Sequence, residues 1–321
     1  MTDLARREFE RILIIKPSSP GDIIHALPVL RGLRRRFPQA HIAWLVANPF
    51  INLVDADPAL SEVIPFDRKR FGALGRSPRV TLDFIGFVRS LRARKFDLVV
   101  DLQGLIRSGF ISIFSGARER VGFRGSREMA WIFYNRKIPK LPADMHAADK
   151  NLAAGGMLGF DDAPPDFRVA TRPEDHVQAA ALLEDAGLTA NRPFVMLVPG
   201  TRWETKRWDV ERYGKLARVL KDRHGIDSVL VGGPTEVEEG RVAEAASRSD
   251  GENGLPAARN LCGRTTFRQL AALTDRASVV VTADSAPMHI AAAHGRPLVA
   301  LFGPTNPVRT GPYGRLDDVV R

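Results

Sequence analysis

The stretch RILIIKPSSPGDIIHALPVLRGLRRRFPQAHIAWLV, residues 11–46, decides the fold. Arg11–Lys16 is a short apolar run rich in β-branched residues and bounded by cations, as expected of a strand buried on both faces. The turn PSSPG follows. Asp22–Phe37 then reads as a helix that ends before Pro38, because proline has no N–H to continue the ladder. His41–Val46 begins a second apolar run. Strand, helix and strand in so short a span make a βαβ unit, which requires a parallel sheet.

The same rhythm extends outward. A helical stretch over about 81–94 precedes a strand at Phe96–Asp101, FDLVVD. The rhythm pauses at Asp161–Pro173, DDAPPDFRVATRP, which reads as a linker. It resumes with strands at Phe194–Val198, Ser228–Val231, Val279–Thr282 and Pro297–Phe302. Helices are expected between them at Asp209–Arg223, Glu236–Ala246 and Ala286–Ala293. The expected architecture is therefore α/β, with two Rossmann-like doubly wound domains over 1–165 and 166–321. Ligands of such sheets sit at the carboxyl ends of the strands, here in a cleft between the domains.

Composition narrows the function classes. The chain has 321 residues and a formal net charge of +10. Residues 1–160 hold 26 Lys and Arg against 15 Asp and Glu, a net of +11, whereas residues 161–321 carry a net of −1. A basic first half facing an acidic partner is the reading, whether nucleic acid, an anionic membrane leaflet or a phosphorylated substrate. Nucleic acid is disfavoured, because no recognised module and no basic stretch interleaved with aromatics is present. The single cysteine, Cys262, excludes an internal disulfide framework and fits a reducing cytoplasm. No signal peptide and no run of membrane-spanning length is present, so a cytoplasmic protein is expected.

Four loops at expected strand ends carry candidate chemistry. In KPSSPGDIIH, 16–25, Asp22 is placed to cap the following helix or to act as a general base. In PGTRWETKRW, 199–208, hydroxyls, Arg202 and Lys206 suit a phosphate group. In ADSAPMH, 283–289, small residues open a helix whose dipole favours a diphosphate; Asp284 reads as its cap and His289 as a core histidine on spacing alone. The fourth, GPTNP at 303–307, reads singly as a turn. No Walker loop, GxGxxG fingerprint, GxSxG elbow, HExxH or Asp-x-Asp pattern occurs, so neither a nucleotide cofactor nor a metal is indicated.

Taken in order, IKPSSPGDIIHALPVL (15–30), VVDLQGLIRSG (99–109), FYNRK (133–137), TRWETKRW (201–208), DSAPMHIAAAHGRP (284–297) and GPTNP (303–307) resemble glycosyltransferase family 9, the ADP-heptose:lipopolysaccharide heptosyltransferases. The FYNRK and DLQGLIRS pieces most resemble the heptosyltransferase I branch. The resemblance implies a GT-B fold and an inverting, metal-independent transfer from ADP-heptose to the Kdo of a lipid A-linked acceptor. It implies peripheral contact with the cytoplasmic face of the inner membrane and no cofactor. By resemblance Asp22 is the catalytic base. Thr201, Arg202 and Lys206 hold donor phosphates, and the Ser285, Ala286 and Pro287 backbone neutralises the leaving diphosphate. Glu236 takes the ribose hydroxyls, and Asp284 and His289 line the donor-sugar pocket. Arg68, Lys69, Arg70, Arg107, Arg136 and Lys137 are the expected anion contacts of the acceptor, given the basic first half.

Two departures stand out. Ser285-Ala286 replaces the Thr-Gly usual in related sequences, and the Ala286 methyl narrows the approach of a phosphate. The chain ends at Arg321, where relatives continue into a C-terminal helix. The competing readings are another sugar nucleotide or a later core acceptor, and a nucleotide-sugar binding protein without catalysis.

Overall fold

The computed structural model describes residues 3–73, 76–160, 163–189, 192–201, 203–248 and 255–321. The chain divides into two compact units, Met1–Phe167 and Arg168–Arg321. In the first, β1 (Arg11–Ile15), β2 (His41–Ala47), β3 (Glu62–Phe66), β4 (Leu98–Asp101), β5 (Glu119–Phe123) and β6 (Arg136–Ile138) form one parallel sheet. Its helices are α1 (Pro20–Ile24), α2 (Leu27–Arg36), α3 (Pro78–Ala93), α4 (Ile106–Phe114) and α5 (Ala147–Leu158). The second unit has α6 (Pro173–Asp185), β7 (Phe194–Val198), α7 (Val210–His224), β8 (Asp227–Leu230), α8 (Val237–Ala246), β9 (Ala258–Asn260) and α9 (Phe267–Arg276). It continues with β10 (Val279–Ala283), α10 (Ala286–Ala293), β11 (Leu298–Leu301), α11 (Pro307–Thr310) and β12 (Val319–Val320).

The strand orders are β3-β2-β1-β4-β5-β6 and β12-β11-β10-β7-β8-β9. Numbered within its own unit, each sheet runs 3-2-1-4-5-6, the Rossmann order, which reverses direction between its first and fourth strands. Those switch points lie between β1 and β4, where Ile15 pairs with Asp101, and between β7 and β10, where Val198 pairs with Thr282. Burial explains the strand sequences. Ile12, Leu13, Ile14 and Ile15 of β1 and every residue of β7 are buried, as central strands covered on both faces must be.

Several elements differ from the sequence expectation. The single helix expected over Asp22–Phe37 is two, broken at His25 and Ala26. Pro28 is the cause: it cannot donate to the carbonyl of Ile24, and its ring crowds that carbonyl. Asp22 is not the helix N-cap. Ser19 is, and Asp22 sits at the third helical position of a capping box. Pro173, expected at the end of the linker, is instead the first residue of α6. Residues 161 and 162 of that linker lie outside the described residues, and 163–172 are irregular.

A buried polar latch holds the loop after β4. Asp101 is fully buried, accepts a hydrogen bond from Tyr134 Oη at 2.7 Å, and accepts from the backbone N–H groups of Gln103 (2.9 Å) and Gly104 (3.1 Å). Burial raises the Asp101 carboxyl above its ordinary range, against the pull of these donors. Tyr134→Phe removes one donor from this buried acceptor. The expected loss is about 1–3 kcal/mol of stability, read as a lowered urea midpoint with an unchanged slope.

Candidate active site

At the β1/β4 switch point the chain places a buried cation under a carboxylate. Lys16 follows β1 directly and is buried, with its Nζ donating to the Leu102 carbonyl at 2.9 Å. The same Nζ lies 3.8 Å from Asp22 Oδ1. Asp22 Oδ2 accepts from Ser19 N at 3.1 Å and Ser19 Oγ at 2.6 Å, closing the capping box. The Asp22 side chain is 42% exposed, so a ligand can reach it from solvent. Arg68 Nη1 donates to Ser18 Oγ at 3.0 Å, which brings a second cation to the same loop. Capping and catalysis are thus compatible here, one oxygen serving the helix while the other faces Lys16.

The remaining acceptor candidates are distributed differently. Lys69 and Arg70 are exposed, and their backbone N–H groups both bond Asp67 Oδ1 in a turn. The Arg70 guanidinium pairs with Asp83. Arg107 stands exposed on α4, and Lys137 Nζ lies 5.1 Å from the centre of the Trp131 ring. Arg136 does not join the site. It starts β6 and bonds Glu119 at the start of β5 at 2.7 Å, with Asp3 at 3.5 Å. That is the amino end of the sheet, opposite the Asp22 loop. Arg136, with Arg7, holds the Glu119 carboxyl below its usual range, so the arginine has a structural partner instead of a ligand.

At the β7/β10 switch point the second unit gathers a different set. Lys206 Nζ donates to Asp284 Oδ2 at 2.6 Å, and Thr305 Oγ1 donates to the same oxygen at 2.8 Å. Thr201 Oγ1 donates to the Asp284 carbonyl at 3.3 Å. Asp284 therefore does not cap α10. That position belongs to Ser285, whose Oγ turns back to Thr282 Oγ1 and the Ala283 carbonyl, both at 3.3 Å, and makes no cap bond. The Ala286 N–H at the start of α10 thus has no side-chain cap; Pro287 has no N–H, and the Met288 N–H bonds the Ser285 carbonyl at 3.2 Å. A helix start of this kind suits an anion. His289 is buried, as are Met288, Ile290 and Ala291 of the same helix.

Glycines bring the loops together. A Cβ on Gly200 would lie 2.4 Å from Cγ of Glu236, so only glycine lets the Glu236 side chain cross the loop after β7. A Cβ on Gly303 would meet the Thr205 carbonyl oxygen at 2.8 Å, so the GPTNP turn packs directly on the Lys206 loop. Arg207 braces this loop, donating to the Thr201 carbonyl at 3.2 Å and pairing with Glu239 at 2.8 Å. Arg202 lies outside the described residues. Cys262 is buried, and burial together with Glu236 and Glu239 pushes its thiol up to about 12, so it is no thiolate nucleophile at neutral pH. Sequence reasoning missed Lys16 and Thr305. A lysine ending a wholly apolar strand, and a hydroxyl directly after the last central strand, were the available signals.

Paired Rossmann-like sheets, each with polar groups gathered at its switch point, are the layout of the GT-B glycosyltransferases, and the protein is of that class. More narrowly, the chain belongs to glycosyltransferase family 9 (heptosyltransferase), whose family model matches residues 85–321. It is 28% identical to the lipopolysaccharide core heptosyltransferase OpsX of Haemophilus influenzae, over 96% of this chain and 83% of that protein. It is 30% identical to lipopolysaccharide heptosyltransferase 2 of Salmonella typhimurium, over 97% of this chain and 88% of that one. The solved structure of Escherichia coli heptosyltransferase WaaC with ADP-2-deoxy-2-fluoro heptose superposes with a TM-score of 0.77 at 26% identity, covering 97% of this chain and 93% of its own.

The Lys206–Asp284 pair gives a direct test of this geometry. The Asp284 side chain is only 6% exposed, so removing its cation leaves a buried carboxylate whose one remaining side-chain donor among the described residues is Thr305. Lys206→Met is expected to lower unfolding stability by about 2–3 kcal/mol, and Lys206→Met with Asp284→Asn to recover most of it, both read by urea denaturation.

Proposed function

We propose that the protein transfers heptose from ADP-heptose to the Kdo sugar of a lipid A-linked inner-core acceptor, with inversion at the anomeric carbon and without a metal ion. The observation that carries this reading is the switch point of the second unit, where a cation held by Asp284 lies beside an uncapped helix start. Such a site offers positive charge and backbone N–H groups to a diphosphate, the groups that a metal would otherwise replace. The donor of the related E. coli structure, an ADP-heptose analogue, has that chemistry.

Each residue then has a task. Lys206, Thr201 and Arg202 bind the donor phosphates, while the Ser285–Ala286 backbone and the α10 dipole take charge as the diphosphate leaves; Pro287, without an N–H, only fixes the first turn. Glu236 accepts from the ribose hydroxyls across Gly200. Asp284 and His289 border the sugar. In the first unit Asp22 accepts the proton of the acceptor hydroxyl, whose oxygen attacks the anomeric carbon as the bond to the diphosphate breaks. Lys16 steadies the Asp22 carboxylate as an anion. Arg68, Lys69 and Arg70 meet acceptor carboxylates or phosphates, and Arg107 and Lys137 extend that basic surface on α4 and β6.

Asp22→Asn keeps an acceptor for Ser19 and so preserves the capping box. Its turnover is expected to fall by at least ~10²-fold while ADP binding, measured by calorimetry, stays near the parent value. Near-normal turnover in this variant would remove Asp22 from the role of base. The donor and acceptor are tested with purified protein, ADP-heptose and Kdo–lipid A, scoring ADP release and product mass together. Acceptor-dependent release with a heptose mass added is expected. Silence here, with turnover of another sugar nucleotide, would transfer the assignment to that donor. Ala286, whose methyl narrows the phosphate approach, would be the first residue to exchange for glycine.

A further inference from the structure

Helix α4 is built inside out. Its buried face carries Ser108, Gly109 and Ser112 beside Ile111. The buried hydroxyls are satisfied within the helix and its first turn, Ser108 Oγ donating to the Leu105 carbonyl at 2.8 Å and Ser112 Oγ to the Gly109 carbonyl at 2.7 Å. The outward face carries Ile106, Phe110, Ile113 and Phe114, each 37–43% exposed. Their spacing, i, i+4, i+7 and i+8, is that of one helical stripe. A helix on the surface of a soluble domain ordinarily shows the reverse pattern.

The apolar stripe continues on both neighbours of α4. Phe110 lies 4.7 Å from the ring centre of Phe133, at the end of the 3-10 segment Arg127–Phe133. That segment takes positive φ at Glu128 and Met129, and it exposes Met129, Trp131 and Ile132. Helix α3, which packs against α4, exposes Leu82 (68%) and Ile85. Exposed apolar side chains gathered on three adjoining elements mark a partner.

Its rim is cationic. Arg79, Arg89 and Arg92 are exposed along α3, Arg107 on α4, Arg118 just past α4 and Arg127 at the start of the 3-10 segment. Among the described residues none of these six is ion-paired with a carboxylate. The acidic groups nearby are committed, Asp83 to Arg70 and Glu128 to the Ile106 N–H at 3.1 Å. Lys137 over the Trp131 ring places a cation and an indole together, the pairing that suits the headgroup layer of a bilayer.

We propose that this face of the first unit, α3, α4 and the Arg127–Phe133 segment, seats on an anionic lipid bilayer. The apolar side chains enter the boundary between headgroups and acyl chains, and the rim arginines meet lipid phosphates. Charge complementarity selects this occupant over a second copy of the chain, because a symmetric pairing would set the arginine rims against one another. No helix among the described residues is long and apolar enough to cross the membrane, so the contact is with its surface. The proposal rests on the lipid-linked acceptor of the preceding section for its purpose, but its test does not use that acceptor.

The full chain is sedimented with vesicles of phosphatidylethanolamine and phosphatidylglycerol, and separately with vesicles of phosphatidylcholine alone. Binding to the anionic vesicles is expected, weakened by salt, with Ile113→Ser/Phe114→Ser binding about tenfold more weakly. Both positions are exposed, and a thermal melt by circular dichroism verifies that this variant folds. A second readout needs no apolar replacement: vesicles with brominated acyl chains should quench the native tryptophan fluorescence, and Trp131→Phe should remove that quenching. Absence of binding, equal binding by the double variant, or quenching that survives Trp131→Phe would overturn the proposal. A dimer that the double variant dissolves would overturn it in favour of a second copy. A protein that binds these vesicles yet transfers nothing to Kdo–lipid A keeps this proposal and loses the functional reading. One that transfers in detergent and ignores vesicles does the opposite.

Discussion

Everything at the two sites depends on the reversal of strand order between β1 and β4 and between β7 and β10. Where neighbouring parallel strands send their following helices to opposite faces, the loops at their carboxyl ends part, and no helix covers the gap. Hydrogen bonds then span each gap and fix the loops. In the first unit Lys16 reaches from the end of β1 to the Leu102 carbonyl after β4. In the second Thr201, after β7, reaches the Asp284 carbonyl after β10. The two contacts occupy equivalent places in equivalent sheets, which is why residues nearly two hundred positions apart read as counterparts.

The same geometry is filled with opposite chemistry. The first unit exposes a carboxylate and buries its cation, whereas the second nearly buries a carboxylate and leaves the cation, Lys206, nearer to solvent at 19% exposure. On the proposed reading Asp22 removes a proton, for which it must be reachable, and its side chain is 42% exposed. On the same reading Lys206 receives the diphosphate, and it is the more exposed partner of its pair. Neither arrangement is chosen for stability, because a partly buried ion pair contributes little over an apolar replacement. On the proposed reading its value lies in holding one charged partner ready for a ligand.

The central strands were legible in the sequence because burial on both faces leaves unbroken apolar runs, as in Ile12–Ile15 and Val195–Val198. The edge strands were not: β3 contains Pro65, and β6 has only three residues. Helix α4 was not read as an element, and its apolar stripe, Ile106, Phe110, Ile113 and Phe114, faces outward, so a reading that assigns apolar residues to the core would turn the helix the wrong way. At the sites, residue types were legible and directions were not. Asp22 and Asp284 both precede or open a helix and read equally well as caps, yet one enters a capping box and the other turns to Lys206. Arg136 was read with Arg68 because a basic residue near a strand end carries no mark of which end it faces.

The charge excess of the first half shows the same limit in another form. Much of it is structural. Arg34 donates to the carbonyls of Pro38, Ala40 and Ala59, and Arg36 to those of Ala5 and Arg7. Arg120 ties the Phe133 and Ala117 carbonyls, and Arg94 is paired with Glu62. Guanidinium groups used in this way staple backbone and contribute no attraction for a specific ligand, although they count fully toward the net charge. What distinguishes the arginines of α3 and α4 is placement: they are exposed on helices that also expose leucine, isoleucine and phenylalanine. A net charge therefore states that a basic surface exists, whereas only the partners of each arginine state where it faces outward and what it can meet there.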